Sequence, residues 1–355
     1  MYRRWRSICD DNRKIMKNKK IDWDNLGFNA HETKSMFRAN YTPEDNWQVE
    51  GLIPYGDVSL SPASTVLNYG QGIFEGTKAY QTSRERVVCF RLEDNANRFL
   101  SSSERMCIPP LPKGLFEKAV QEVVKDNLEF LPNKEQGSLY IRPLAFGEGP
   151  MLGVKASDYF TFLIYVTPVG SYFKSGLKSL NTIVSDKYHR TATKSVGFAK
   201  AIGNYAGTLL PFKEITQQGY DEIIFLNSSD ENIIDEARSA NIFVLKDNIL
   251  KTPSLQGSIL PGITRDSVIK VARHFFNLEV HEGDVTIEEL MNGDEVFFTG
   301  TAAVIAPAGS INYKNKTMEF DTKYNDSMTK QIREKIIDIQ HENIEDPFGW
   351  VIPLR

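Results

Sequence analysis

Apolar residues recur along the chain in two rhythms. Short runs of β-branched and aromatic residues predict strands: Val87-Val88-Cys89-Phe90, Ser138 to Pro143, Tyr159 to Val166 and Glu222 to Leu226. Further strands are expected near 178–184, at Ile233–Ile234, at Ala240–Leu245 and at Glu295–Phe298. Apolar residues three and four apart predict helices instead. Leu92, Ala96, Phe99 and Leu100 mark one from Glu93 to Met106, stopped by Pro109, Pro110 and Pro112. A second amphipathic helix is expected from Leu115 to Asn127. Others fall at about 201–217, 264–276 and 326–341, the fourth with Val268, Val271, Ala272 and Phe275 on one face. Residues 51–82 read as short extended pieces between turns, broken by Pro54, Pro62 and several glycines.

Strands and helices mix without strict alternation, and no internal repeat occurs. The pattern predicts two α+β domains rather than one doubly wound sheet. The Pro, Gly and Ser residues between Thr167 and Leu177 mark a linker. The expected division is a small N-terminal domain over 20–167, a linker over 168–177 and a large domain over 178–355. The first 19 residues are basic but lack an apolar segment and contain Asp10 and Asp11, unlike a targeting peptide. They read as a disordered extension, with Met16 as an alternative start.

Composition narrows the function classes. The 355 residues are 41% hydrophobic and 25% charged, as in a soluble globular protein with a sizeable core. The net charge of −4, without a basic run beside aromatics, argues against nucleic acid. No apolar run reaches membrane-spanning length. Cys9, Cys89 and Cys107 are odd in number and show no CxxC spacing, and the five histidines are scattered. A disulfide framework and a metal site are therefore not expected, and a cytoplasmic location is.

Three segments hold candidate chemistry. Lys200 lies among Gly197, Phe198, Ala199, Ala201, Ile202 and Gly203, which offer no opposite charge. Desolvation favours a neutral amine, and a neutral amine attacks carbonyls. Glycines there would let a flat ring approach the backbone. Tyr205 lies five residues on, within reach of the same atom if the segment is helical. Glu236 follows an apolar pair and precedes small residues. Taken alone it reads as a surface turn carboxylate; in a site it would pair with a protonated ring nitrogen. Leu260-Pro261-Gly262-Ile263-Thr264-Arg265 immediately precedes a helix, whose N-terminal N–H groups attract phosphate. Ordinary capping by Thr264 is the plainer reading of that segment alone. Phe298 to Ala303 is a second small-residue turn after a strand. Gly147 to Gly153 is not GxGxxG, and neither a Walker A nor a GxSxG pattern occurs.

Taken together, these pieces resemble the fold-type IV pyridoxal phosphate enzymes, and among them the branched-chain amino acid aminotransferases. The likeness runs from about residue 20 to 350. It is carried in order by YGQGIFEG (69–76), the Arg91…Arg98 segment, SLYIRP (138–143), GFAKAIGNY (197–205), IDEARSANIF (234–243), LPGITR (260–265) and FTGTAAVIAPAG (298–309). The resemblance implies that Lys200 forms the aldimine with pyridoxal 5′-phosphate and later moves the substrate proton. It implies that Tyr205 meets the cofactor's phenolic oxygen and Glu236 its ring nitrogen. Arg98, the backbone of Ile263 and Thr264, and Thr301 would form the phosphate cup, with Arg190 helping. Tyr69, Phe74 and Tyr140 would wall the aliphatic pocket. Arg142, on the same strand face as Tyr140, would meet a second carboxylate. The Thr301–Ala302 backbone would hold the α-carboxylate.

The activity implied is reversible transfer of the amino group of L-leucine, L-isoleucine or L-valine to 2-oxoglutarate, by a homodimer whose subunits share their sites. A D-amino acid aminotransferase or an aminodeoxychorismate lyase of the same fold type is the alternative; the YGQGIFEG and SLYIRP segments count against both. Retention of Lys200, Tyr205 and Glu236 counts against a non-catalytic relative. Ser239 stands where many relatives carry threonine. Ala303 and Ala306 stand where mammalian members carry a redox CxxC, so thiol regulation through that pair is not expected.

Overall fold

The computed structural model describes residues 21–170, 179–320 and 326–354. The extension expected at 1–19 and the linker residues 171–177 lie outside the described residues. Residues 168–170, expected to open the linker, instead finish a strand.

The first sheet contains β1 (Ser35–Thr42), β2 (Asn46–Pro54), β3 (Gly72–Phe74), β4 (Thr77–Gln81), β5 (Val87–Phe90), β6 (Gly137–Gly147) and β7 (Phe160–Gly170). A strand from the far end of the chain, β17 (Val351–Pro353), joins its edge. The order is β17-β5-β4-β6-β7-β1-β2, with β3 also paired to β6. Every pairing in this sheet is antiparallel. Helices α1 (Thr65–Tyr69), α2 (Leu92–Arg105) and α3 (Leu115–Asp126) accompany it. The second sheet contains β8 (Leu180–Val184), β9 (Glu222–Leu226), β10 (Ile234–Ala237), β11 (Asn241–Lys246), β12 (Ile249–Pro253), β13 (Glu279–Gly283), β14 (Glu295–Gly300), β15 (Val304–Tyr313) and β16 (Lys316–Glu319). Its order is β10-β9-β8-β15-β14-β11-β12-β13, with β16 beside β15. Parallel pairs, β8 with β9 and β15 and β12 with β13, mix with antiparallel ones. Helices α4 (Ile202–Ala206), α5 (Leu209–Gln217), α6 (Ile263–Phe276), α7 (Ile287–Met291) and α8 (Met328–Gln340) belong to this half.

Burial explains the sequence rhythms. Strands β6 and β7 are covered on both faces, so they read as nearly continuous apolar runs. Hairpin β1–β2 is not marked by such a run because β2 is largely exposed and intersperses polar residues among its apolar ones. Helix α2 buries Leu92, Asn95, Arg98, Phe99, Ser102 and Ser103, whereas Leu100, expected on that face, is exposed. The single helix expected at 201–217 is two helices, separated at Gly207 and Thr208. The two sheets share a core. Tyr80, Val88 and Phe90 from the first pack with Phe243, Phe297 and Ile305 from the second, closed by Val268 of α6 and Ile332 of α8. The sequence motifs gather along this seam.

Candidate active site

Lys200 is held at the seam by its backbone. Its N–H donates to Ser102 Oγ of α2 at 3.0 Å, and its carbonyl accepts from the Phe74 N–H at 3.1 Å. The neighbouring Ala201 bridges Ile73. The side chain is half-buried, and its Nζ donates to the Tyr205 hydroxyl at 3.1 Å. The same Nζ lies 4.7 Å from the centroid of the Phe74 ring, which meets Tyr205 edge-on at 4.7 Å. The five-residue spacing thus closes as expected. Gly197 has a different role from the one expected: a Cβ there would sit 1.9 Å from the Ser258 carbonyl oxygen, so the glycine lets two backbones touch. Gly197→Ala must push that backbone aside, at a cost of ~1–3 kcal/mol. Its denaturation midpoint should fall and its turnover should drop, because Lys200 moves with the loop; urea unfolding and initial rates read both.

Glu236 is not a surface turn residue. It lies on β10 and is 3% exposed. Its Oε1 is 2.7 Å from Arg190 Nη1 and accepts from the Leu260 N–H at 3.1 Å; its Oε2 accepts from Asn241 Nδ2 at 3.2 Å. The Arg190 contact is an ion pair without hydrogen-bond alignment, which leaves Nη1 lacking a hydrogen-bond partner among the described residues. Burial pushes the carboxyl up to about 7, outweighing the opposing pull of Arg190 and the Leu260 N–H. Arg190, to which the resemblance gives a helping part at the phosphate, is ion-paired with Glu236. Asn241 also donates to the Leu260 carbonyl at 3.0 Å. It fixes both the acid and the approach to α6.

The pocket also takes in a helix N-terminus, a place where free N–H groups can meet an anion. Helix α6 begins at Ile263, with Gly262 as its N-cap. Its first intrahelical bond comes from Asp266 to the Gly262 carbonyl at 3.0 Å, so the N–H groups of Ile263, Thr264 and Arg265 precede the helical ladder. A Cβ on Gly262 would lie 2.0 Å from Asn241 Oδ1. The turn Gly300-Thr301-Ala302-Ala303 between β14 and β15 faces this helix end. Thr299, 2% exposed, lines the same pocket, and its Oγ1 has no hydrogen-bond partner among the described residues. Arg98 reaches the pocket from α2. Arg98, Arg190, Lys200, Tyr205, Glu236 and Thr264 thus surround one cavity, with Ile263 and Thr301 beside them.

On the other side of Lys200 lie Phe74, Tyr140 and Arg142. Arg142 donates to the Tyr140 hydroxyl at 3.1 Å, and its guanidinium lies 4.7 Å from the Phe74 ring centroid. Its buried Nε has no hydrogen-bond partner among the described residues. Phe28 packs edge-on against Tyr140 at 5.0 Å. Ala302 presents its carbonyl to Lys78 Nζ at 2.7 Å. Lys78 is buried, and desolvation, with Arg333 adding to it, brings its amine down to about 8. Tyr69 stands apart from this group. It is 40% exposed at the end of α1, with its hydroxyl on the Leu152 carbonyl, and does not line the cavity around Lys200 in the single chain.

Comparison with known proteins gives the family. The model of amino-transferase class IV matches residues 72–311. "Branched-chain-amino-acid aminotransferase 5, chloroplastic" from Arabidopsis thaliana is 38% identical over 352 residues, covering 99% of this chain and 85% of that protein. The chain belongs to the branched-chain aminotransferases of amino-transferase class IV. The crystal structure of a branched-chain aminotransferase from the thermophilic archaeon Thermoproteus uzoniensis with norvaline is 30% identical, with a TM-score of 0.77 over 90% of this chain and 100% of that one. A branched-chain amino acid aminotransferase from T.th., complexed with N-(5′-phosphopyridoxyl)-L-glutamate, is 26% identical, with a TM-score of 0.77 over 91% of this chain and 99% of that one.

Several residues of this aminotransferase's site escape the sequence reading. Glu75, Lys78, Asn241 and Thr299 lie inside or beside the recognised motifs, but nothing local distinguishes them from packing residues. Among the described residues no group of three or more His, Cys, Asp or Glu could hold a metal ion, and no helix is long and apolar enough to cross a membrane.

Proposed function

We propose that this aminotransferase moves the amino group of L-leucine, L-isoleucine or L-valine to 2-oxoglutarate, with pyridoxal 5′-phosphate as cofactor and Lys200 as the reacting amine. The observation that carries the reading is the Lys200–Tyr205 contact at 3.1 Å, set between a buried acid and a helix N-terminus. The residues fit a ring with a basic nitrogen at one edge and a phosphate at another. Glu236, raised to about 7 by burial despite the Arg190 ion pair, would be held ionised more firmly by a ring cation. The unpartnered Thr299 hydroxyl and the leading N–H groups of α6 await an acceptor.

Bound pyridoxal phosphate supplies an aldehyde that condenses with amines and a ring that draws electrons from the substrate Cα. The rest is work for the chain. Lys200 Nζ takes the proton from the substrate Cα in the first half-reaction and delivers one to the Cα of the new amino acid in the second, as general base and acid. The Tyr205 hydroxyl orients that nitrogen. Glu236, steadied by Arg190, Asn241 and the Leu260 N–H, holds the proton at the ring nitrogen. Arg98, Ile263, Thr264 and Thr301 hold the phosphate. Phe74 and Tyr140 exclude water from an aliphatic side chain, and Tyr69 extends that wall from a second copy. The N–H groups at Thr301 and Ala302 receive the α-carboxylate.

Arg142 lets one pocket serve leucine and glutamate. It has no carboxylate partner among the described residues, and it rests on aromatic faces. A leucine side chain can pack on those rings, while a second carboxylate can pair with the guanidinium. Arg142→Leu should raise the KM for 2-oxoglutarate about 10- to 100-fold and that for leucine far less, as read from steady-state kinetics.

A second copy of the chain completes the site in this reading. Leu67, Tyr69, Leu152 and Val154 are exposed, and the Tyr69 hydroxyl ties two of these segments together. We therefore take the enzyme to be a homodimer, for which sedimentation velocity should give twice the chain mass. We keep the division into domains over 20–167 and 178–355, joined at 168–177, and add that Val351–Pro353 returns to the first sheet. We keep the cytoplasmic location as a proposal; the free Cys89 and Cys107 suit a reducing compartment.

The half-reaction tests the function. The yellow holoprotein should bleach to its pyridoxamine form with L-leucine and no keto acid, and should not do so with D-alanine. Bleaching by D-alanine alone would overturn the substrate reading and leave the fold and family as they are.

A further inference from the structure

Arg98 is expected to hold phosphate, yet its charge already has a partner. Its Nε donates to Glu75 Oε1 at 2.7 Å and its Nη2 to Glu75 Oε2 at 2.9 Å, a two-pronged pair. Its Nη1 donates to the Pro261 carbonyl at 3.1 Å. We propose that Glu75 is the positioning residue of the phosphate end: it clamps the Arg98 guanidinium so that Arg98 offers aimed N–H groups to the phosphate. This rests on the reading of the pocket as a pyridoxal phosphate site.

The geometry favours a clamp over a packing accident. Glu75 is fully buried and is itself fixed. Its N–H donates to the Pro143 carbonyl at 2.9 Å, and its Oε2 accepts from the Gly76 N–H at 3.1 Å. Arg98 lines the pocket, whereas Glu75 does not, so the carboxylate stands behind the guanidinium and is kept from the anion. A guanidinium has five N–H donors. Three are used here, which leaves one on each Nη for a ligand. Pro261 directly precedes the Gly262 N-cap, so one guanidinium ties the segment after β3, helix α2 and the start of α6 together. A free arginine would bring more charge but no fixed direction.

The test uses apoprotein and two probes, pyridoxamine 5′-phosphate and pyridoxamine, with affinities read by equilibrium dialysis. Glu75→Gln should weaken pyridoxamine 5′-phosphate about 10- to 100-fold and leave pyridoxamine within about twofold. In an Arg98→Met background the same change should cause no further loss, because Glu75 acts through Arg98. Glu75→Asp keeps the charge but withdraws it by one methylene. It should weaken the phosphorylated probe in the same way, and it serves should Glu75→Gln not fold. Unchanged or tighter binding of the phosphorylated probe, equal loss for both probes, or a further loss in the Arg98→Met background would each overturn the proposal. A wild-type protein that binds both probes alike would instead remove the pocket assignment, and the proposal with it.

Discussion

Lys200→Ala should abolish transamination, lowering the single-turnover rate with L-leucine by about 10⁴-fold or more. Two roles disappear together, the covalent hold on the cofactor and the movement of the Cα proton. The side chain is half-buried and bonds only the Tyr205 hydroxyl, so folding should survive its removal. The backbone contacts that fix the segment, to Ser102 and Phe74, do not involve the side chain. Stopped-flow absorbance separates the two roles. The variant should bind pyridoxal phosphate without its holoenzyme spectrum, and added methylamine should restore part of the proton transfer. A variant that keeps more than about a tenth of the wild-type rate would show that another base acts.

Glu236→Gln should lower kcat about 10²- to 10³-fold, since a neutral amide cannot hold a proton on the ring nitrogen as charge develops. A second signature lies in the apoprotein. Burial raises the Glu236 carboxyl from 4.5 to about 7 in the folded chain. Between those values the folded state holds a proton that the unfolded state has released. Stability therefore falls as pH rises through that window, by about 3 kcal/mol at the limit. Glu236→Gln should remove this share of the slope when urea unfolding is compared at pH 5 and pH 7.5. Asp235 and Glu222, whose carboxyls burial also raises, keep their own shares, so the difference between the proteins is the readout. Saturating cofactor should shrink the difference, because a ring cation stabilises the ionised carboxylate. An identical pH dependence in both apoproteins would mean that Arg190 already keeps Glu236 charged.

Much of the helical content is legible because its signals are local. Helix α6 shows its apolar face at Val268, Val271 and Ala272, all buried. Helix α2 is legible in extent but not in facing. Its inner surface carries Asn95, Arg98 and Ser102, polar residues that an apolar pattern places outside. Strand β15, which holds the second sheet together, escapes the pattern because Pro307, Gly309 and Ser310 interrupt its apolar run. The apolar pair at Ile233–Ile234 marks only the start of β10, which runs on to Ala237 and takes Glu236 out of the turn expected for it.

The sequence by itself determined the family and the chemical inventory. A lysine among small residues, an acid after an apolar pair and a Pro-Gly helix start are short signals, and their order along the chain multiplies their weight. Tertiary structure alone decided the pairings. Glu75 and Arg98 are 23 residues apart, Arg190 and Glu236 46, and Lys78 and Ala302 224. Each pair meets because two sheets close on a common core, and a buried charge or donor must find a partner wherever that closure leaves it. That requirement is set by the packed interior, where water no longer satisfies each group separately.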